Sequence, residues 1–110
     1  MLTRIKISNS ATGLLYQRFK AAQQYYTPNI ILRNALMFSI SNGDKYDERN
    51  INMSGTEFQI STLLGNNSNV YKLLIDQYYK RKLTDHEYKT IICYHIEEGL
   101  RNNDFSSMFN

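Results

Sequence analysis

The side chains best suited to chemistry in this 110-residue chain are one cysteine, Cys93, and two histidines, His86 and His95. Cys93 and His95 could form a thiolate nucleophile and its base only if their side chains met. They stand two residues apart in a stretch with helical periodicity, a rotation of about 200 degrees, so they point to opposite sides. His86 falls in the first turn of that stretch, where a histidine is a surface residue more often than a base. Glu97 and Glu98 are adjacent rather than one turn apart, and Arg101 follows Glu97 at four residues as a ready partner. There is no glycine-rich phosphate loop, no His-Glu-x-x-His and no cysteine pair. One cysteine and two histidines also supply a metal site poorly. The expectation is a non-enzyme without catalytic residues, metal or cofactor.

The cations carry more information. The formal net charge is +3, but it is unevenly spread. Residues 1–40 hold Arg4, Lys6, Arg18, Lys20 and Arg33 and no Asp or Glu, while the remaining residues carry all ten carboxylates against eight cations. Forty residues without a carboxylate cannot neutralise their cations locally, and the positive potential they project attracts polyanions. In the second part, Asp76 precedes Lys80, Asp85 precedes Lys89 and Glu97 precedes Arg101 by four residues, the spacing of helix-supporting ion pairs. Arg81 and Lys82 lack such a carboxylate, so the Lys80-Arg81-Lys82 run is either a second phosphate contact or a complement to a helix C-terminal dipole. Tyr25-Tyr26 and Tyr78-Tyr79 stand near helix ends, the second pair directly before that run. Aromatic and basic side chains together can stack bases, and the same tyrosines can equally be packing residues with wet hydroxyls.

These residues need elements to hold them. Residues 3–8 alternate Ile5 and Ile7 with Arg4, Lys6 and Ser8, the pattern of a short amphipathic strand. A lone strand is unstable, and no second strand of similar quality follows, so its own copy in another subunit is the expected partner. Ser10 can cap a helix to about Gln24, with Ala11, Leu14, Leu15, Phe19 and Ala22 on one stripe and Gly13 a candidate for close packing. Thr27-Pro28 opens a second helix whose Ile30, Ile31, Leu32, Ala35, Leu36, Met37, Phe38 and Ile40 make it apolar over more than half its circumference. That excess points to subunit packing. Ser68 can cap a third helix to about Lys82, and Thr84 with Glu87 forms a capping box for a fourth.

The expected layout is a single domain: a strand-helix-helix part over 1–40, a polar loop over 41–57, a helical part over 58–101 and a tail over 102–110 carrying Phe105, Met108 and Phe109. The fold class is mainly α, a short N-terminal strand with about four helices in an oligomeric bundle. Ile5, Ile7, Gly13, Ile31 and Phe38 are the expected oligomer contacts. No apolar run reaches the roughly 18 to 20 residues of a membrane span, and Met1–Ser10 lacks the apolar core of an export signal. With a single cysteine, the cytoplasm is the expected compartment.

Strand, helix, short turn and helix, with a basic strand face, resemble the ribbon-helix-helix family. That resemblance implies a two-chain ribbon in the DNA major groove, with Arg4, Lys6 and Ser8 facing DNA and a phosphate held at the amides after Thr27. A narrower resemblance lies in the wording of the chain. RIKIS, a Ser-Ala-Thr helix start, TPNIILRNAL and GTEFQISTLLG resemble the DndE family of DNA sulfur-modification (phosphorothioation) proteins from about Arg4 to Gly99. The chain departs from that pattern at Asn34 and at Asn66-Asn67. This resemblance implies a helical subunit that assembles into a homotetramer, binds DNA with a preference for nicked duplex, and works beside other subunits of the modification system that carry out the sulfur chemistry. The leading expectation is therefore a DNA-binding accessory subunit using Arg4, Lys6, Arg18, Lys20, Arg33, Lys80, Arg81 and Lys82. A base-reading ribbon-helix-helix repressor and an assembly module without nucleic-acid contact are the alternatives.

Overall fold

The computed structural model describes residues 4–21, 27–43 and 53–102. Its elements are β1 (Arg4–Lys6), α1 (Asn9–Ala21), α2 (Pro28–Ser41), β2 (Glu57–Gln59), α3 (Ile60–Leu64), α4 (Ser68–Tyr79) and α5 (Asp85–Asn102), with a single 3-10 turn at Gly65–Asn67 before α4. The mainly helical class holds. The expected helix end at Gln24, the Tyr25-Tyr26 pair, most of the 41–57 loop and the tail beyond Asn102 lie outside the described residues.

The strand's partner corrects the sequence expectation. β1 pairs antiparallel with β2 of the same chain, with Arg4 opposite Gln59, Ile5 opposite Phe58 and Lys6 opposite Glu57. The pairing continues past the strand end: Ile7 donates its N–H to the Thr56 carbonyl at 3.1 Å, and Gly55 donates to Ile7 at 2.7 Å. Gly55 is required there, because a Cβ would press on the Ser8 and Ile7 carbonyls. The partner strand gave no sequence signal because it is three residues long and turns only Phe58 inward.

The α1 cap is Ser8 rather than Ser10. Its hydroxyl accepts from the Ala11 N–H at 3.0 Å and donates to the Glu97 carboxylate on α5. Thr27 caps α2 as expected, accepting from the Ile30 N–H at 3.4 Å with Pro28 at the first helical position. The Thr84–Glu87 box closes reciprocally, at 3.0 Å and 3.2 Å.

The apolar breadth of α2 has an internal cause. It packs against α5, α3 and α1 of its own chain, burying Ile31, Leu32, Ala35 and Leu36 completely. The approach of α2 to α5 is so close that a Cβ at Gly99 would overlap the Ala35 backbone. The two helices run antiparallel, since Ala35 lies at Gly99 and Ser39 lies at His95. Ile5, Ile7 and Ile31, expected at an oligomer contact, are 1%, 0% and 0% exposed in the single chain. They fill its own core and offer no surface to a second copy. Phe38 is half-buried, and Gly13 faces open space with nothing near where its Cβ would stand.

Candidate nucleic-acid interface

The ribbon turns one face in and one face out. Ile5 is buried, whereas Arg4, Lys6, Glu57 and Gln59 are exposed. Arg4 Nη1 lies 3.5 Å from Glu57 Oε2, with both side chains about half in solvent, so the pair is long and screened. Lys6 is held by its backbone rather than its side chain: its carbonyl accepts from the Cys93 thiol at 3.2 Å.

That contact also fixes the ribbon's direction. The Lys6 carbonyl meets Cys93, and two residues later Ser8 meets Glu97. Two strand residues and four helical residues each advance about 6 Å. β1 therefore runs alongside α5 in the same direction, and Arg4 lies level with the helix's second turn, where Lys89 stands. The Lys80-Arg81-Lys82 run immediately precedes this end of α5. The ribbon flanks the Lys89–Cys93–Glu97 face of α5, whereas Arg81 pairs with Glu87, about 200 degrees from Lys89 around the helix, so the ribbon cations and the 80–82 run reach different sides of the same end. Lys89, four residues after Asp85, stands one turn before Cys93 on that ribbon-side face.

The 80–82 run owes its position to a helix stop. The Lys80 N–H bonds the Gln77 carbonyl and the Arg81 N–H bonds the Asp76 carbonyl, both at 3.1 Å, with Lys80 at φ +60°. This is the Schellman arrangement, in which the left-handed residue is usually glycine. Asp76 is not the partner of Lys80. It pairs with Lys72 at 2.7 Å and accepts from the Leu83 N–H at 3.1 Å. These bonds and the Lys72 charge hold its carboxyl below the usual range, against the opposing effect of burial, which is the largest single one. Arg81 pairs with Glu87 at 2.5 Å. The Arg81 hydrogen bond, with the Thr84 backbone, lowers Glu87 to about 2.

The remaining cations lie elsewhere. Arg18 Nη2 donates to the Leu100 carbonyl at 2.9 Å, and Arg33 donates to the Leu63 carbonyl at 2.5 Å and to Thr62 at 3.4 Å. Both guanidiniums satisfy carbonyls at helix C-terminal ends, where helix dipoles favour cations. Lys20 is exposed in the last turn of α1. Arg18 places this region near the far end of α5, which at 18 residues is about 27 Å long. The eight predicted cations therefore do not converge on one patch.

The candidates for catalysis are separated. Cys93 is 1% exposed, and burial pushes its thiol up to about 12. His95 is fully buried between the Ser39 hydroxyl at 2.7 Å and the Tyr79 hydroxyl at 2.6 Å, tying α2, α4 and α5 together. Tyr79 is thus a packing residue, and Tyr78 meets it edge-on with ring centroids 5.1 Å apart. His86 is exposed. Glu97 and Glu98 both bind Arg101, at 3.0 Å and 2.9 Å. Among the described residues no group of three His, Cys, Asp or Glu could hold a metal ion, and no helix is long and apolar enough to cross a membrane.

The surface also carries unpartnered apolar side chains. Val70, Leu73 and Leu74 on α4 are 52%, 68% and 48% exposed, and Tyr16 on α1 is 60% exposed. Beside the α4 stripe, a shallow groove of about 290 Å³ is lined by Met37, Ile40, Tyr71 and Tyr78 among others.

These features define a small, mainly helical protein with a two-stranded ribbon closed within one chain and exposed cations on that ribbon and in the turn before its longest helix. The family described as DNA sulphur modification protein DndE matches residues 4–107. The chain belongs to the DndE family, which is involved in DNA phosphorothioation. The crystal structure of DndE from Escherichia coli B7A, described as involved in DNA phosphorothioation modification, shares the fold with a TM-score of 0.79 at 22% identity, over 94% of this chain and 100% of that one. A G21/24K mutant of DndE gives a TM-score of 0.75 at 23% identity, over 92% and 97%. No curated protein matches the sequence.

Proposed function

We propose that this chain is a non-catalytic, DNA-binding accessory subunit of the DNA phosphorothioation system, acting in the cytoplasm on duplex DNA with a preference for nicks. The observation that carries the reading is the match to a DNA sulphur modification family over residues 4–107, and it is supported by the exposed cations Arg4 and Lys6 on the outer face of the ribbon and Lys80, Arg81 and Lys82 in the turn before α5. Exposed lysines and arginines suit phosphates, which bind cations without regard to sequence. Sulfur chemistry belongs to other subunits, because the only thiol in this chain is buried and held protonated. Self-association, with a homotetramer as the expected form, is supported by the apolar stripe on α4 and by Tyr16. The repressor reading loses its main support, since a ribbon closed within one chain needs no second copy.

Replacing Arg4 and Lys6 together by Glu tests the reading. DNA affinity in a gel-shift titration is expected to fall at least about tenfold, through lost counterion release and new repulsion. Undiminished binding by a folded variant would remove the ribbon from the interface.

A further inference from the structure

We propose that Glu87 is a built-in competitor for the phosphate that Arg81 would bind, so that DNA engages the 80–82 run fully only by displacing this carboxylate. The inference rests on the DNA-binding reading above and adds a restraining contact to it. Arg81 Nη2 and Glu87 Oε2 are 2.5 Å apart, with the side chains 53% and 33% exposed. The other carboxylate oxygen, Oε1, accepts the Thr84 N–H at 3.0 Å, while the Glu87 N–H donates to Thr84 Oγ1 at 3.2 Å. Glu87 is therefore pinned to the start of α5 and presents its free oxygen to Arg81 from a fixed position. A guanidinium meets carboxylate and phosphate through the same N–H groups, so the carboxylate on Nη2 competes with a phosphate for that donor.

Two further observations favour a displaceable pair over a purely structural one. The pair sits at the surface, where ion pairs are weak and screened. A cleft of about 130 Å³ beside it, lined by Arg81, His86, Glu87, Thr90 and Ile91, gives a phosphate a way in, with Lys80 and Lys82 exposed on either side of Arg81. The negative charge exceeds what the helix start requires. A capping box is served by Gln as well as Glu, and Asp85 already places an acid in the first turn of α5.

The test is an anisotropy salt titration of the full chain on nicked duplex DNA with wild type, Glu87→Gln, Arg81→Gln, the Glu87→Gln/Arg81→Gln double variant and Lys82→Gln. Glu87→Gln keeps the acceptor for the Thr84 N–H and is expected to bind about three- to tenfold tighter, with a salt slope steeper by about one phosphate's worth, roughly −0.9. In the Arg81→Gln background the same change is expected to gain less than about twofold. An equal gain in both backgrounds would mean that Glu87 acts only as a diffuse charge, and no gain would mean that it restrains nothing; either overturns the proposal. Arg81→Gln alone provides a second reading that does not depend on the folding of Glu87→Gln. It is expected to cost less affinity than Lys82→Gln, and an equal or greater cost would also overturn the proposal. Failure of wild type and all variants to bind DNA would overturn the DNA-binding reading together with this one.

Discussion

Cys93 shows how burial decides what a side chain can do. Its thiol sits under β1, donates to the Lys6 carbonyl and is held protonated well above neutral pH, whereas nucleophilic cysteines are thiolates in exposed, electropositive surroundings. Cys93→Ser is therefore expected to leave DNA binding and sulfur modification intact. Native protein should resist a thiol reagent that labels the unfolded chain fully; loss of modification in a folded variant would contradict the assignment. The residue-scale features readable in the sequence are those with local partners, namely the Thr27-Pro28 start, the Thr84–Glu87 box and the Glu97–Arg101 pair. Arg18 and Arg33 were not readable as carbonyl ligands, because Leu100 and Leu63 lie 82 and 30 residues away. The same holds for His95, whose ties to Ser39 and Tyr79 depend on three helices converging.

At the scale of elements, the five-residue helix α3 and the three-residue strand β2 escaped the sequence because neither is long enough to show a period. Without β2, β1 has the pattern of an unpaired strand that needs a second chain; with it, the ribbon closes within one chain. The apolar breadth of α2 likewise exceeds what two neighbouring helices need and is covered by three, α5, α3 and α1. The turn between α4 and α5 is where stability and function separate. Lys80 occupies a left-handed position that costs a non-glycine residue about 1 kcal/mol, yet it adds a cation beside Arg81. Lys80→Gly is expected to raise the melting temperature by a few degrees, about 4–8 °C per kcal/mol for a domain of this size, while weakening DNA binding. Calorimetry and a binding titration on the same preparation check both effects, and unchanged affinity would exclude Lys80 from the interface.

For the molecule as a whole, the fold class and the family were readable, and the oligomer contacts were not. The isoleucines assigned to an interface close the monomer's own core, and the exposed apolar surface lies instead on α4 at Val70, Leu73 and Leu74. These three residues follow helical spacing, so the sequence marks them as one face but cannot tell a core face from an outer one. If that stripe joins copies, Leu73→Asp is expected to lower the sedimenting mass toward the monomer without unfolding the chain. A wild-type protein that sediments as a monomer would contradict self-association.

The central claim, that the chain binds DNA through phosphates as a non-catalytic subunit, is tested most directly by fluorescence-anisotropy salt titrations on intact, nicked and single-stranded DNA of matched length. The account predicts a log–log slope of about −4, from about four neutralised phosphates at roughly −0.9 each, with nicked duplex bound most tightly. Absent binding, or equally weak binding to all three DNAs, would contradict it and leave these exposed cations to a protein partner.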